Sequence, residues 1–428
     1  MRQKKRFLFV CEKKFVILEY QLIMKHENTA LLCKNIYLDR IKPFIDTQII
    51  KVLVGQRRVG KSFMLFQLMD YIRGKNANAD ILYINKELFE FDSLRDYTDL
   101  MYYIQKHREG KTGKCYLFID EVQDIISFEK ALRGLLADGR YDIYCTGSNA
   151  RMLSGELATF LSGRYVEFRI WGLNYSEFMQ FHQLEDSDET FSRYYKFGGL
   201  PYLVNLPFDE GIVSEYLRGI YNTILLKDIV DRYGIRNVRQ LQDLTVYLAD
   251  TIGNMFSASS ISEYLKSQRI DLTPKMILEY LGYLENAFFV RRVRPMDIQG
   301  KKQFRIGEKY YFEDLGIRHV LRPFRPNDIG QVLENVVYHH LMVCGYTVHV
   351  GRDGDREVDF VAERDGEKLY VQVATSVMEQ KTWEREYGNL LGIRDNYPKI
   401  VVTLDPLEGA SFQGIRQIPV RRFLLMNN

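Results

Sequence analysis

Residues 49–62 read IIKVLVGQRRVGKS, and the fold class follows from them. The first six form a short, mostly apolar run rich in β-branched side chains, the pattern of a buried parallel strand. The run passes directly into Gly55, Gln56, Arg57, Arg58, Val59, Gly60, Lys61 and Ser62; Phe63 then opens FMLFQLMDYI at helical apolar spacing. This is GxxxxGK[ST] in a strand–loop–helix setting. The glycines let backbone N–H groups turn inward around phosphate oxygens, and the helix N-terminus adds partial positive charge. The pattern predicts that Lys61 bridges the β- and γ-phosphates of ATP and that the Ser62 hydroxyl ligates Mg²⁺. Gly55, Gln56, Arg57, Arg58, Val59, Gly60 and Phe63 complete the expected cradle. Arg57 and Arg58 are expected to shape the loop or touch nucleotide rather than catalyse.

Such a loop calls for an acidic partner at the end of a second buried strand. Residues 115–119 (CYLFI), followed by Asp120 and Glu121, supply it. Asp120 fits the metal-side carboxylate, and Glu121 fits the general base that orients and deprotonates the attacking water. Adjacent carboxylates at a strand end mark the subclass with an extra strand between the P-loop strand and the acidic strand. Residues 81–85 (ILYIN) are the candidate for it. The next apolar strand, 141–146 (YDIYCT), ends in Gly147, Ser148 and Asn149. A polar side chain there would sense the γ-phosphate, with Asn149 and Ser148 as the two candidates. Arg164, just before a fifth strand at 166–170 (VEFRI), is a candidate to reach the γ-phosphate in cis or from a neighbouring subunit.

The 428 residues are too many for one ordinary core, so two to four domains are expected. Lys and Arg total 59 against 56 Asp and Glu, a balance of +3 that does not by itself call for nucleic acid. Cys11, Cys33, Cys115, Cys145 and Cys344 show no CxxC spacing, which favours buried thiols in a reducing compartment over a disulfide or zinc framework. The histidines form no HExxH pattern, so no metal beyond ATP-linked Mg²⁺ is indicated. Residues 1–6 are basic and 7–11 apolar, imitating a signal peptide. Glu12, Lys13 and Lys14 interrupt the run, and no small-residue cleavage site follows. No stretch is apolar enough to span a bilayer. A cytoplasmic protein is expected, with residues 1–29 as an N-terminal extension and Met24 as an alternative start.

The second half lacks a complete chemistry of its own. Residues 173–236 have helical apolar spacing broken by Gly198-Gly199-Leu200-Pro201, a hinge or tight inter-helix turn. Residues 237–329 read as a winged helix-turn-helix whose third helix is capped by Thr273 and Pro274. Its Lys275, Arg291, Arg292 and Arg294 are candidate contacts to double-stranded DNA phosphates; Glu279 and Glu285 on the same helix favour a protein-contact surface instead. Residues 330–428 resemble the restriction-endonuclease-like nuclease fold, with Glu334 on a helix and an Asp365-Gly366 hairpin turn. That fold needs a strand-end Asp followed by Glu-x-Lys. Asp359 matches the first position, but Gln372, Val373 and Ala374 stand at the second. Gln is a weak metal ligand and Ala cannot activate water, so nuclease activity is expected to be lost.

The runs GQRRVGKS, LFIDEVQ, TGSNARMLSGELATFLSGRY, LNYSEF and GGLPYLV, in that order, resemble a large prokaryotic family of AAA-type ATPases. In that family a C-terminal region of uncharacterised function follows the P-loop module, and the resemblance covers roughly residues 30–428. It implies an AAA-type core at 30–172, with Gly60, Lys61, Ser62, Asp120 and Glu121 at matching motif positions, and a mobile helical lid at 173–236. The expectation is therefore an α/β P-loop sheet followed by lid, winged helix and a small α/β domain. The expected function is an ATPase that uses Mg-ATP to act on a macromolecular partner, either a protein or double-stranded DNA. An oligomer is compatible with this, a membrane partner is not expected, and an ATP-regulated nuclease is the remaining alternative.

Overall fold

A computed structural model describes residues 35–150, 161–298, 307–354, 356–406, 409 and 411–426. The expected extension at 1–29, Met24, Cys11, Cys33 and positions 151–160 of the quoted motif lie outside the described residues.

Helix α1 (Asn35–Ile41) leads into β1 (Ile50–Val54), whose five residues are all buried. Then follow α2 (Lys61–Lys75), β2 (Asp80–Asn85), α3 (Tyr97–Arg108), β3 (Cys115–Asp120), α4 (Phe128–Asp138), β4 (Tyr141–Gly147) and β5 (Tyr165–Arg169). Asp96 and Asp99 form a capping box that starts α3, which satisfies donors the helix itself cannot. The five strands are parallel in the order β2-β3-β4-β1-β5. Successive side chains point to opposite faces. Leu53, Phe118 and Tyr144 therefore enter one core with α2, while Val52, Leu117 and Ile143 enter another with α3 and α4. Cys115 and Cys145 are buried thiols of this second core. One expectation needs correction. The strand between P-loop strand and acidic strand is β4, whereas β2, residues 80–85, lies at the sheet edge beyond β3. Strand order in space is set by crossovers, which periodicity does not encode.

The lid comprises α5 (Tyr175–His182), α6 (Asp188–Phe197), a 3₁₀ turn at Pro201–Asn205, α7 (Glu210–Thr223) and a π-helical continuation, Ile224–Asp231. The Gly198-Gly199 break is a close backbone approach. A Cβ on Gly198 would lie 2.4 Å from Asp314 Oδ1, and one on Gly199 2.5 Å from the Leu173 carbonyl oxygen. Gly199 N–H donates to Asp314 Oδ2 at 2.8 Å, and Leu173 N–H to Gly199 O at 2.7 Å.

Three helices follow: α8 (Val238–Asp250), α9 (Ala258–Ser267) and α10 (Pro274–Asn286), the last capped by Thr273, which accepts from Met276 N–H at 3.3 Å. Strands β6 (Val290–Val293), β7 (Pro295–Asp297) and β8 (Lys309–Phe312) come next, with β6 and β8 paired as an antiparallel ribbon. Helices α11 (Leu315–Leu321) and α12 (Ile329–Val343) lead to β9 (Thr347–Asp353), β10 (Arg356–Arg364) and β11 (Glu367–Ala374). The chain ends with α13 (Gln380–Leu391), β12 (Lys399–Thr403), β13 (Ser411–Phe412), β14 (Ile415–Pro419) and α14 (Val420–Leu425). Asp365 (φ 53°) and Gly366 (φ 84°) make the expected tight turn between β10 and β11. The C-terminal sheet has seven strands in the order β13-β14-β12-β11-β10-β9-β7. Strand β7 thus belongs to this sheet, so the boundary expected at 329/330 is crossed by an earlier segment. No helix among the described residues is long and apolar enough to cross a membrane.

Candidate active site

The loop after β1 is shaped by positions that exclude ordinary side chains. Gly55 has φ 151°, and a Cβ there would lie 2.1 Å from the Ile170 carbonyl oxygen. Gly60 (φ 97°) and Arg58 (φ 68°) are both left-handed, the second at the cost of placing a long side chain in that region. Lys61 is buried, and its Nζ donates to the carbonyls of Gly55 at 3.1 Å and Gln56 at 3.0 Å. Glu121 Oε1 lies 3.8 Å from the same ammonium. Val59 is buried, while Ser62 and Phe63 are half-buried at the start of α2. A Cβ at Gly60 would stand 3.8 Å from Pro201 Cγ, so the lid reaches the loop.

Asp120 ends β3 beside the loop and is 1% exposed. It accepts from Tyr83 Oη at 3.1 Å and from the hydroxyls of Thr146 and Ser62. Burial raises its pKa, only partly opposed by those hydroxyls. Its neighbour moves the other way. Burial also pushes Glu121 up, but Lys61, the Gln123 amide, Arg57 and Ser148 together outweigh it and hold the carboxylate below its ordinary range. Glu121 adopts φ 53°, ψ 51°, with its N–H donating to Thr146 Oγ1 at 2.9 Å and its Oε2 accepting from Ser148 Oγ at 3.1 Å. The two adjacent carboxylates thus have pKa values driven apart, with Glu121 the more firmly ionised. Of the two polar candidates after β4, Ser148 touches Glu121; Asn149 is buried next to it.

Arg164 is not brought to this cluster. Its carbonyl accepts from Ile50 N–H at 2.9 Å, at the start of β1, and its side chain is exposed. Five strand residues, roughly 16 Å, separate that edge from the loop. The cis role is therefore corrected, because parallel register places Arg164 at the opposite end of the sheet. Tyr83, Thr146, Gln123 and Asp228 were not anticipated. Thr146 lies in the quoted strand and faces Asp120; Asp228 is distant in sequence, but its carboxylate grips Arg57 through Nε at 2.5 Å and Nη2 at 2.8 Å.

These residues fit a triphosphate with a divalent cation. Gln56 is 2% exposed, yet neither atom of its side-chain amide has a hydrogen-bond partner among the described residues. Such an orphaned amide inside the loop is costly unless a ligand satisfies it. Lys61 rests on neutral carbonyls, leaving its charge available to an anion. The Ser62 hydroxyl and Asp120 form the oxygen pair that a hard cation prefers.

Comparison with known proteins agrees. Residues 47–179 match the AAA domain family, and residues 188–328 match a domain of unknown function (DUF8612). An uncharacterized protein of Haemophilus influenzae is 38% identical over 401 residues, covering 92% of this chain and 99% of that protein. The chain belongs to the AAA P-loop ATPase family. A second uncharacterized relative, from Methanocaldococcus jannaschii, is 29% identical over 357 residues, covering 79% of this chain and 77% of its own. Among solved structures, the Aeropyrum pernix Orc1 protein in complex with DNA overlaps 67% of this chain and 91% of its own, at 10% identity and a TM-score of 0.31. Domain III of the Thermotoga maritima replication initiation protein DnaA overlaps 57% and 89%, at 15% and 0.27. Overlaps this loose carry no argument about this AAA protein.

The C-terminal region of this AAA protein gathers a different set. Lys309 Nζ, from β8, lies 2.8 Å from Glu334 Oε1, 2.8 Å from Glu357 Oε1 and 3.7 Å from Asp359 Oδ1. Tyr311 Oη also donates to Glu334. Asp359 Oδ2 accepts from Val373 N–H at 2.8 Å, and Gln372 Oε1 accepts from Asp359 N–H at 3.3 Å. Burial and the nearby Glu334 charge push Asp359 up to about 8, with Lys309 opposing. Among the described residues no His, Cys, Asp and Glu cluster has the geometry of a metal site. Arginines in and just after β6 also lie near carboxylates, Arg294 with its side chain still 52% exposed. Arg292 pairs with Glu285 at 3.3 Å and Glu308 at 3.5 Å, Arg294 with Glu308 at 3.7 Å, and Arg291 with Glu313 at 4.0 Å. Lys275 stays exposed at the start of α10.

Proposed function

We propose that this chain binds Mg-ATP in the loop of residues 55–62 and hydrolyses it, using the nucleotide cycle to move its lid and C-terminal region against a protein partner. The observation that carries this reading is the convergence of Lys61 and Ser62, at the end of the loop, with Asp120 and Glu121, at the end of β3, across the intervening strand β4. Lys61 and the loop N–H groups hold the β- and γ-phosphates. Ser62 and Asp120 would hold Mg²⁺, which would neutralise phosphate charge. Glu121, kept ionised by Lys61 and Arg57, orients a water and accepts its proton. Ser148, with Asn149 beside it, keeps the Glu121 carboxylate aimed. Arg164 is assigned to a neighbouring copy's nucleotide, since its own lies at the far edge of the sheet.

A protein partner is favoured over duplex DNA because Arg291, Arg292 and Arg294 already face carboxylates of their own chain. Phosphate contacts need cations free to displace the counter-ions condensed on the DNA. ATP turnover measured with and without duplex DNA, over a salt series, tests the choice. Turnover that rises with DNA and loses the rise as salt increases would restore the DNA reading. Nuclease activity is not proposed: Gln372 and Ala374 replace the required groups, and Lys309 already neutralises the acids around Asp359.

A further inference from the structure

The guanidinium of Arg57 serves two parts of the molecule at once. It sits inside the phosphate loop, three residues before Gly60, where its charge helps to keep Glu121 ionised. Two of its nitrogens are spent on Asp228, a carboxylate 0% exposed, while Nη1 stands 3.8 Å from Glu87. A buried carboxylate is stable only while its partner stays in place.

Asp228 belongs to the π-helical stretch Ile224–Asp231 that continues α7. A π-helix is rare and less well bonded than an α-helix, and it persists where a tertiary contact holds it. Its next residue back, Lys227, reaches Asp124 at 3.7 Å, and Asp124 lies in the turn directly after Glu121. The same short stretch thus touches both sides of the nucleotide site. At its other end, α7 packs on α11, whose capping residue Asp314 is the one that closes on Gly199. The path from phosphate loop to C-terminal region is continuous.

We propose that the Arg57–Asp228 pair is the contact through which phosphate in the loop acts on the lid, so that nucleotide loosens the π-helical stretch. The inference rests on the ATP-site reading above. Phosphate oxygens in the loop compete with Asp228 for one guanidinium. As the grip weakens, the buried Asp228 carboxylate loses its compensation, and the stretch that carries it opens more readily.

Hydrogen exchange by mass spectrometry on the full chain tests this, with and without Mg²⁺ and a non-hydrolysable ATP analogue, saturation being set by a separate binding titration. In the wild type, analogue should speed exchange across Ile224–Asp231 by about tenfold, the factor that one weakened charge-assisted hydrogen bond sets on a local opening. Asp228→Asn and Arg57→Ala should exchange fast there without analogue and gain nothing from it. Arg57→Lys, which keeps the charge but not the two-pronged geometry, should fall between and guards against misfolding of the other two. Wild type that binds analogue with unchanged exchange in this stretch, or Arg57→Ala that keeps the nucleotide response, overturns the switch alone. Wild type that binds no nucleotide overturns the ATP site and the switch with it.

Discussion

Two buried lysines of this chain stand next to carboxylates, and they are put to opposite uses. Lys61 belongs to the loop it serves; its Nζ is held by two neutral carbonyls, and its nearest carboxylate, Glu121, is 3.8 Å away. Lys309 arrives from a different segment and lies 2.8 Å from both Glu334 and Glu357, with Asp359 close by. A lysine parked on carbonyls keeps its charge for an incoming anion, whereas a lysine inside a ring of carboxylates has spent it. Residue types alone do not make a reactive site; what neutralises the cation does.

The largest test of that contrast lies at the first site. Glu121→Gln should bind Mg-ATP as the wild type does, while kcat falls by about a thousandfold, the scale of a lost general base. Undiminished turnover would remove Glu121 from the role and leave the two acids indistinguishable. The next effect is at the second site. Lys309→Met leaves Glu334, Glu357 and Asp359 without their buried cation, which should cost the C-terminal domain about 3 kcal/mol. Trp383, in the small core of that domain, reports the transition by fluorescence in a Trp171→Phe background. An unchanged midpoint would mean that Lys309 is dispensable and the comparison false.

Legibility divided along the same line. Strand β1, the loop and the start of α2 could be read from residues 49–63 because each of their determinants lies within a few positions of the others. Asp120 and Glu121 were legible because a phosphate loop calls for acids at a strand end. That an extra strand separates β1 from β3 was legible from the adjacent acids, but that it is β4 and not β2 was not, nor was the placement of Arg164 at the opposite end of the sheet, since spatial strand order is absent from local periodicity. Lys309 and Asp228 were missed for one reason: each gains its meaning from partners far away in sequence, with Asp228 meeting Arg57 only across the folded lid. The Gly198-Gly199 break was seen, but its cause, the Asp314 carboxylate, was again remote.

A pH dependence follows from the raised pKa of Asp359. Its folded value of about 8 exceeds its ordinary 3.8, so between those pH values the folded domain holds a proton that the unfolded chain releases. Stability of the C-terminal domain should fall as pH rises through that window and level off above it. Asp359→Asn should flatten the slope in the same Trp383 measurement; an equal slope in the variant would assign it to another group.

In the proposed reading the loop lysine, and not its counterpart in the C-terminal domain, faces nucleotide. Titration of the purified chain with a fluorescent ATP analogue in Mg²⁺ tests it most directly. Saturable binding should weaken by about a hundredfold in Lys61→Ala, as expected for a lost charged hydrogen bond to phosphate, and should be unchanged in Lys309→Met. Wild-type affinity in Lys61→Ala, or no saturable binding by the wild type, would contradict it.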